Sequence, residues 1–127
     1  ETVMNAASVQ VKVKLDNGEN ILLCGDASPE YLKNLSNYKL IQLPHHGQLD
    51  DAKAIFEKLG GNSYSKEYLI SDNTGSGKTS GGSDALVEYM KKERYSAAHN
   101  TKNGIVDIAK TVVTTQRRNY LGDLDCI

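Results

Sequence analysis

Over the first two dozen positions the hydrophobic pattern changes once. Val9, Val11, Val13 and Leu15 alternate with Gln10, Lys12 and Lys14, the period of a strand with one buried face. Ile21 to Cys24 is wholly apolar, as in a strand covered on both faces. Asp16-Asn17-Gly18 lies between the two runs. Asn and Gly accept the positive φ of a tight turn, so a hairpin is expected. Further on, Ser28-Pro29 reads as an N-cap and first helical residue, predicting a short helix to about Leu35. Lys39 to Pro44 is the next strand. Ala52, Ile55, Phe56 and Leu59 recur at helical spacing and predict a helix with one apolar face, ended by Gly60-Gly61. Glu67 to Ser71 is another strand. Leu86, Tyr89 and Met90 mark a third amphipathic helix with Ser83 as its N-cap. Asn103-Gly104 reads as a turn before "IVDIA", and Val112 to Thr115 as one more β-like segment.

The order is ββαβαβ followed by one or two strands. Such alternation predicts an α/β layer with partly parallel pairing. With 127 residues the chain suits a single domain over 1–127 with one modest core, the stretch from about 110 to 127 being poorly patterned and read as a tail. Hydrophobic residues make up 39% and charged residues 24%, which excludes a disordered chain. The net charge of −1 gives no basic excess toward nucleic acid or a membrane surface. No stretch is apolar for long enough to span a membrane, and no signal peptide is visible. The expected location is the cytoplasm. Because the chain starts at Glu1, it also reads as a fragment or processed form. Two cysteines, Cys24 and Cys126, fit two thiols better than a disulfide framework.

"DNTGSGKTS", Asp72 to Ser80, invites a phosphate-loop reading. Gly77-Lys78-Thr79 match the end of G-x-x-x-x-G-K-[ST]. The opening glycine is replaced by Asp72, whose charge would repel phosphate. The helix should also begin at Lys78, so that its N-terminus meets the anion; Gly81-Gly82 and Ser83 place its start about one turn later. This is the weakest of the functional readings.

A stronger constellation joins two strand ends. "NILLCGDAS" ends its strand in Gly25-Asp26, and "KLIQLPHHGQ" ends in Pro44-His45-His46-Gly47. Ligands of α/β sheets gather at the carboxyl ends of strands. Carboxylate and imidazole bind zinc, manganese or iron, and a bound metal makes water a nucleophile near neutral pH. Bland roles compete: Asp26 could cap a turn, and one histidine could bond backbone. A catalytic zinc takes three protein ligands, and two are visible.

"ILLCGDAS" followed by "LIQLPHHG" resembles the C-terminal half of a metallo-β-lactamase-fold hydrolase. The similarity is to the ComEC-type branch, the DNA-uptake competence proteins and their stand-alone relatives. "KNGIVDI", Lys102 to Ile108, is similar to that family's closing strand, so the likeness runs from about Ser8 to Ile108. It implies an α/β fold that is half of an αββα sandwich, with a mixed sheet and helices packed on one face. It implies Asp26 as the metal-bridging ligand. His45 and His46 match the "HHG" pair as candidate catalytic residues, with His46 also a candidate metal ligand. Gly25 and Gly47 match the turns that present them. The implied cofactor is a divalent metal, zinc foremost, with two ions in a complete domain, or manganese or iron. The implied reaction is hydrolysis of a phosphodiester or other ester, with nucleic acid among the candidate substrates. Two departures stand out. The H-x-H-x-D-H motif of the first half is absent, and Gly81-Gly82 replace the "GHP" whose histidine is the last ligand. His99 lies beyond, in the following hairpin segment. A degenerate, non-catalytic binding or assembly module of the same fold is therefore the alternative. A half-sandwich leaves one sheet face uncovered, so the missing N-terminal half or a second copy of the chain is the expected partner.

Overall fold

The computed structural model describes residues 10–72, 83–95, 98–104 and 106–107. The loop 73–80, Gly81-Gly82, most of the "IVDIA" strand, the segment Val112 to Thr115 and Cys126 lie outside them. The fold is α/β, as expected, and the sheet is mixed. Strands β1 (Val11–Lys14) and β2 (Asn20–Leu23) form the antiparallel hairpin. Strands β3 (Leu40–Gln42), β4 (Glu67–Ile70) and β5 (Ala98–Asn100) follow in parallel, in the order β1-β2-β3-β4-β5. Helix α1 (Leu49–Leu59) connects β3 to β4, and α2 (Asp84–Lys92) lies between β4 and β5.

The pleat sends alternate residues to opposite faces. On one face Leu22, Ile41 and Tyr68 stand side by side in the register and join the main core. Ala52, Ile55 and Phe56 of α1 and Leu86 and Met90 of α2 close over them. Each large aliphatic side chain buried there contributes about 1.5–3 kcal/mol. Asp50 and Asp51 in the first turn of α1 and Lys58 in its last turn complement the helix dipole. Gly60, at φ 62°, ends the helix as anticipated.

The opposite face departs from expectation. It was expected to be bare, yet Ile21, Leu40 and Leu69 at its centre are buried, with Leu15, Leu23 and Val106 packed on them. Its open part lies at the edge, where Val11 and Val13 are exposed. β1 is thus not a strand with one buried face: all four of its residues are exposed. The expected burial of Ile21 to Cys24 on both faces is found for Ile21, Leu22 and Cys24.

Two further elements differ. In place of an α-helix from Ser28 to Leu35 there are two 3₁₀ turns, Pro29–Tyr31 and Leu35–Asn37, and Ser28 makes no side-chain cap. Leu32, Leu35 and Tyr38 still reach the core, but their spacing fits single turns laid under α1. Lys58 of α1 ties this segment down by donating to the carbonyl oxygens of Pro29 and Leu32. Ala98–Asn100, expected only as part of a hairpin segment before Asn103-Gly104, pairs in parallel with β4 at the far edge of the sheet. None of the described helices is long and apolar enough to cross a membrane.

Cys24, just past β2, is a free and wholly buried thiol. Burial pushes it from its ordinary 9.0 up to about 12. The thiolate is the reactive form, so Cys24 should resist alkylation at pH 8 in the native protein and react on unfolding in urea. Above pH 9 the unfolded chain releases this proton while the folded chain keeps it until about pH 12, so its contribution to stability declines across that window. Peptide mapping by mass spectrometry separates Cys24 from Cys126. Rapid labelling of native Cys24 would contradict its burial.

Candidate functional site at the ends of strands β2 and β3

Parallel pairing brings the ends of β2 and β3 side by side. Backbone then links the two turns that follow: the His45 amide donates to the Gly25 carbonyl at 3.1 Å. The Gln42 side-chain oxygen also lies 3.4 Å from the Gly25 amide, a long contact that adds little. Gly25 has φ 57° and Gly47 φ 85°, so both sit in the conformation glycine adopts most readily.

His45 and His46 share that conformation, at φ 53° and 58°. Positive φ is uncommon for residues with a side chain and costs on the order of 1–3 kcal/mol at each. The turn is held by what surrounds Gly47. A Cβ placed there would lie 2.7 Å from Ile70 Cγ2, 3.0 Å from Ser83 Cβ and 3.3 Å from Leu86 Cδ2. The turn is thus wedged between the end of β4 and the start of α2.

Each imidazole is oriented through Nδ1. That of His46 is 2.9 Å from the Ser71 carbonyl oxygen, at the end of β4. That of His45 meets the Asp51 carboxylate, in the first turn of α1. A carbonyl only accepts, and so does an ionised carboxylate. Both rings therefore carry the proton on Nδ1 when neutral, which leaves Nε2 as the acceptor nitrogen, the form in which imidazole binds metals. Asp26 sits partly exposed in the turn after β2, and no described residue hydrogen-bonds its carboxylate.

The donor types at these strand ends suit a divalent cation: one carboxylate and an imidazole with its second nitrogen tied to backbone. Their number falls short, because no group of three or more His, Cys, Asp or Glu able to hold a metal ion occurs among the described residues. His99 does not make up the number. Its Nε2 is 2.6 Å from Glu67 Oε1, and the Leu69–His99 register places the pair on the sheet face opposite the helices.

Next to the turn lies a polar clasp that sequence reasoning did not foresee. Asp72 is buried and accepts from Ser83, at 3.0 Å from its amide and 2.6 Å from its hydroxyl. The Asp72 amide donates to Thr101 Oγ1 at 2.9 Å, and Asn100 Nδ2 donates to Ser83 Oγ at 3.0 Å. Ser83 does precede α2, but its hydroxyl serves Asp72 and caps no amide of the helix. Asp51 and Ser71 were missed too. An Asp at a helix start reads as a dipole complement, and a backbone carbonyl leaves no trace in residue types.

Compared with known proteins, the chain matches no family model, no curated protein and no solved structure.

The wedge at Gly47 has a measurable consequence. Gly47→Ala should destabilise the fold by roughly 2–3 kcal/mol in urea unfolding, from overpacking against Ile70 and Ser83 together with backbone strain. Gly60→Ala, where φ is also positive but a Cβ meets nothing within 4 Å, should cost less. Equal losses at the two positions would show that the turn is not wedged.

Proposed function

We propose that this chain is the second half of a metal-dependent hydrolase domain of the metallo-β-lactamase superfamily, nearest the ComEC-type branch, acting on a phosphodiester or other ester. The observation that carries this reading is the pair of consecutive left-handed histidines, each ring fixed through Nδ1. Strain of this kind gathers at functional sites, where surrounding structure maintains it. The pair stands beside Asp26 on the neighbouring parallel strand end, where α/β sheets place their ligands.

In this reading Asp26 and His46 would be two of the ligands that hold the metal. The metal, when bound, supplies Lewis acidity and a water acidified toward neutral pH. Asp26 brings negative charge to offset the cation. The Ser71 carbonyl keeps the His46 ring in the tautomer that offers Nε2. His45, anchored on Asp51, orients the water or a substrate hydroxyl by hydrogen bonding. The remaining donors come from outside this set, from the first half of the domain or a second copy of the chain.

A non-catalytic binding module is the second reading. It is favoured by the lack of a three-donor group among the described residues. A phosphate-loop protein is a poorer fit, since the Ser83 amide at the start of α2, which a phosphate would need, donates to Asp72.

Metal content decides between the first two readings. The complete protein, purified without chelators, should retain zinc, manganese or iron by mass spectrometry. Asp26→Ala and His46→Ala should each lower the bound metal by about tenfold or more, the order of loss seen when a metal site loses a supporting group, with hydrolysis of bis-p-nitrophenyl phosphate falling in parallel. Equal metal in wild type and variants would remove both residues from the site. Light scattering should find the chain associated with a companion or with itself, and a clean monomer with no companion fragment would count against the half-domain.

A further inference from the structure

Asp51 lies six residues after His45 and is the third residue of α1. Asp50 is its neighbour in the same first turn. Both complement the helix dipole, but only one reaches the turn after β3. Asp51 Oδ2 meets His45 Nδ1, and the two side chains are 20% and 24% exposed. The pair is therefore partly withdrawn from water, where a charge-assisted hydrogen bond is stronger than at an open surface.

We infer that Asp51 is a positioning residue for His45: its carboxylate takes the Nδ1 hydrogen bond, fixes the ring plane and tautomer, and leaves Nε2 as the nitrogen that meets water or substrate. The inference rests on the proposed function for what His45 acts on. Its physical content stands apart from that reading. The two histidines reach one tautomer through different partners. His46 is held by a neutral backbone carbonyl, whose position is set by β4 and cannot be changed by a side-chain substitution. His45 is held by a side chain on α1. Asp51 and the backbone of Ser71 thus divide the roles: one steadies the ring that orients the reacting water, the other the ring that binds. A carboxylate behind an imidazole performs this orienting task in hydrolytic sites of unrelated folds.

The test is the tautomeric state read by long-range ¹H–¹⁵N correlation on the ¹⁵N-labelled chain, at a pH where the rings are neutral. The chain has 3 histidines, so the spectrum can be assigned by substitution. Wild-type His45 should show a protonated, pyrrole-type Nδ1 and a pyridine-type Nε2. Asp51→Asn, whose amide oxygen accepts the same bond, should keep that pattern. Asp51→Leu should lose it, with the two nitrogens of His45 moving toward averaged shifts. Asp50→Leu should leave it unchanged, although it removes the same charge from the helix start. The His46 pattern, held by Ser71, should persist in each variant and shows that the turn is intact. A wild-type His45 protonated on Nε2 overturns the inference, whatever the variants do. So does an Asp51→Leu chain in which His46 and His45 both keep their wild-type patterns. These spectra require neither metal nor substrate, so their outcome is separable from the metal-content result.

Discussion

The fold turns on a close approach at Gly47. The chain leaves β3, reverses through two left-handed histidines, and passes where a methyl group would collide with Ile70 of β4 and crowd Ser83 and Leu86 at the start of α2. Everything at the candidate site depends on that seat. It fixes where α1 begins, and so where Asp51 stands. It holds the His46 ring against the carbonyl of Ser71. It lets the His45 amide meet the Gly25 carbonyl, which joins the two strand ends. Compensating packing of this kind is what allows strained backbone to persist. Here it comes from Tyr68, Ile70, Leu86 and the other core side chains under α1 and α2.

Three of the polar groupings among the described residues bear on the candidate site, and their separation limits what each can do. The strand-end turns hold Asp26, His45 and His46. The clasp ties buried Asp72 and Ser83, next to β4 and α2, to half-buried Asn100 and exposed Thr101 at the end of β5. Glu67 and His99 pair on the other sheet face. Buried polar groups need their partners, because an unmet one costs about 1–3 kcal/mol. The clasp and the Glu67–His99 pair answer that demand. Asp26, without a hydrogen bond to any described residue, and the Nε2 atoms of His45 and His46 are spared from it.

Much of the fold was legible from periodicity. The hairpin, β3, β4, α1 and α2 follow from apolar residues at spacings of two or of three and four, and the turn at Asp16-Asn17-Gly18 from residues that tolerate positive φ, with Gly18 at 91°. The failures share a cause. Ser28-Pro29 carries a helix-start signal, but the segment is too short and too irregularly apolar to continue past single 3₁₀ turns. Val11 and Val13 alternate correctly, yet alternation does not say whether a face is covered. Ala98–Asn100 has no apolar run of its own; β4 supplies its hydrogen-bonding partner.

The candidate site divides in the same way. Residue types and their place after strands were enough to single out Asp26, His45 and His46, since glycine-flanked turns at strand ends are visible in one dimension. Which nitrogen of each imidazole is occupied, and by what, was decided only when β4 and α1 were packed against the turn. Asp51 and Ser71 are six and twenty-five residues away from the histidines they hold. His99, to which the sequence assigned no role, was given to Glu67 by the register of β5 on β4. Local pattern determines which residues emerge at a strand end, because it needs only the period of the chain. The partners of a side chain depend on distances across the fold, and those exist only once the core has closed.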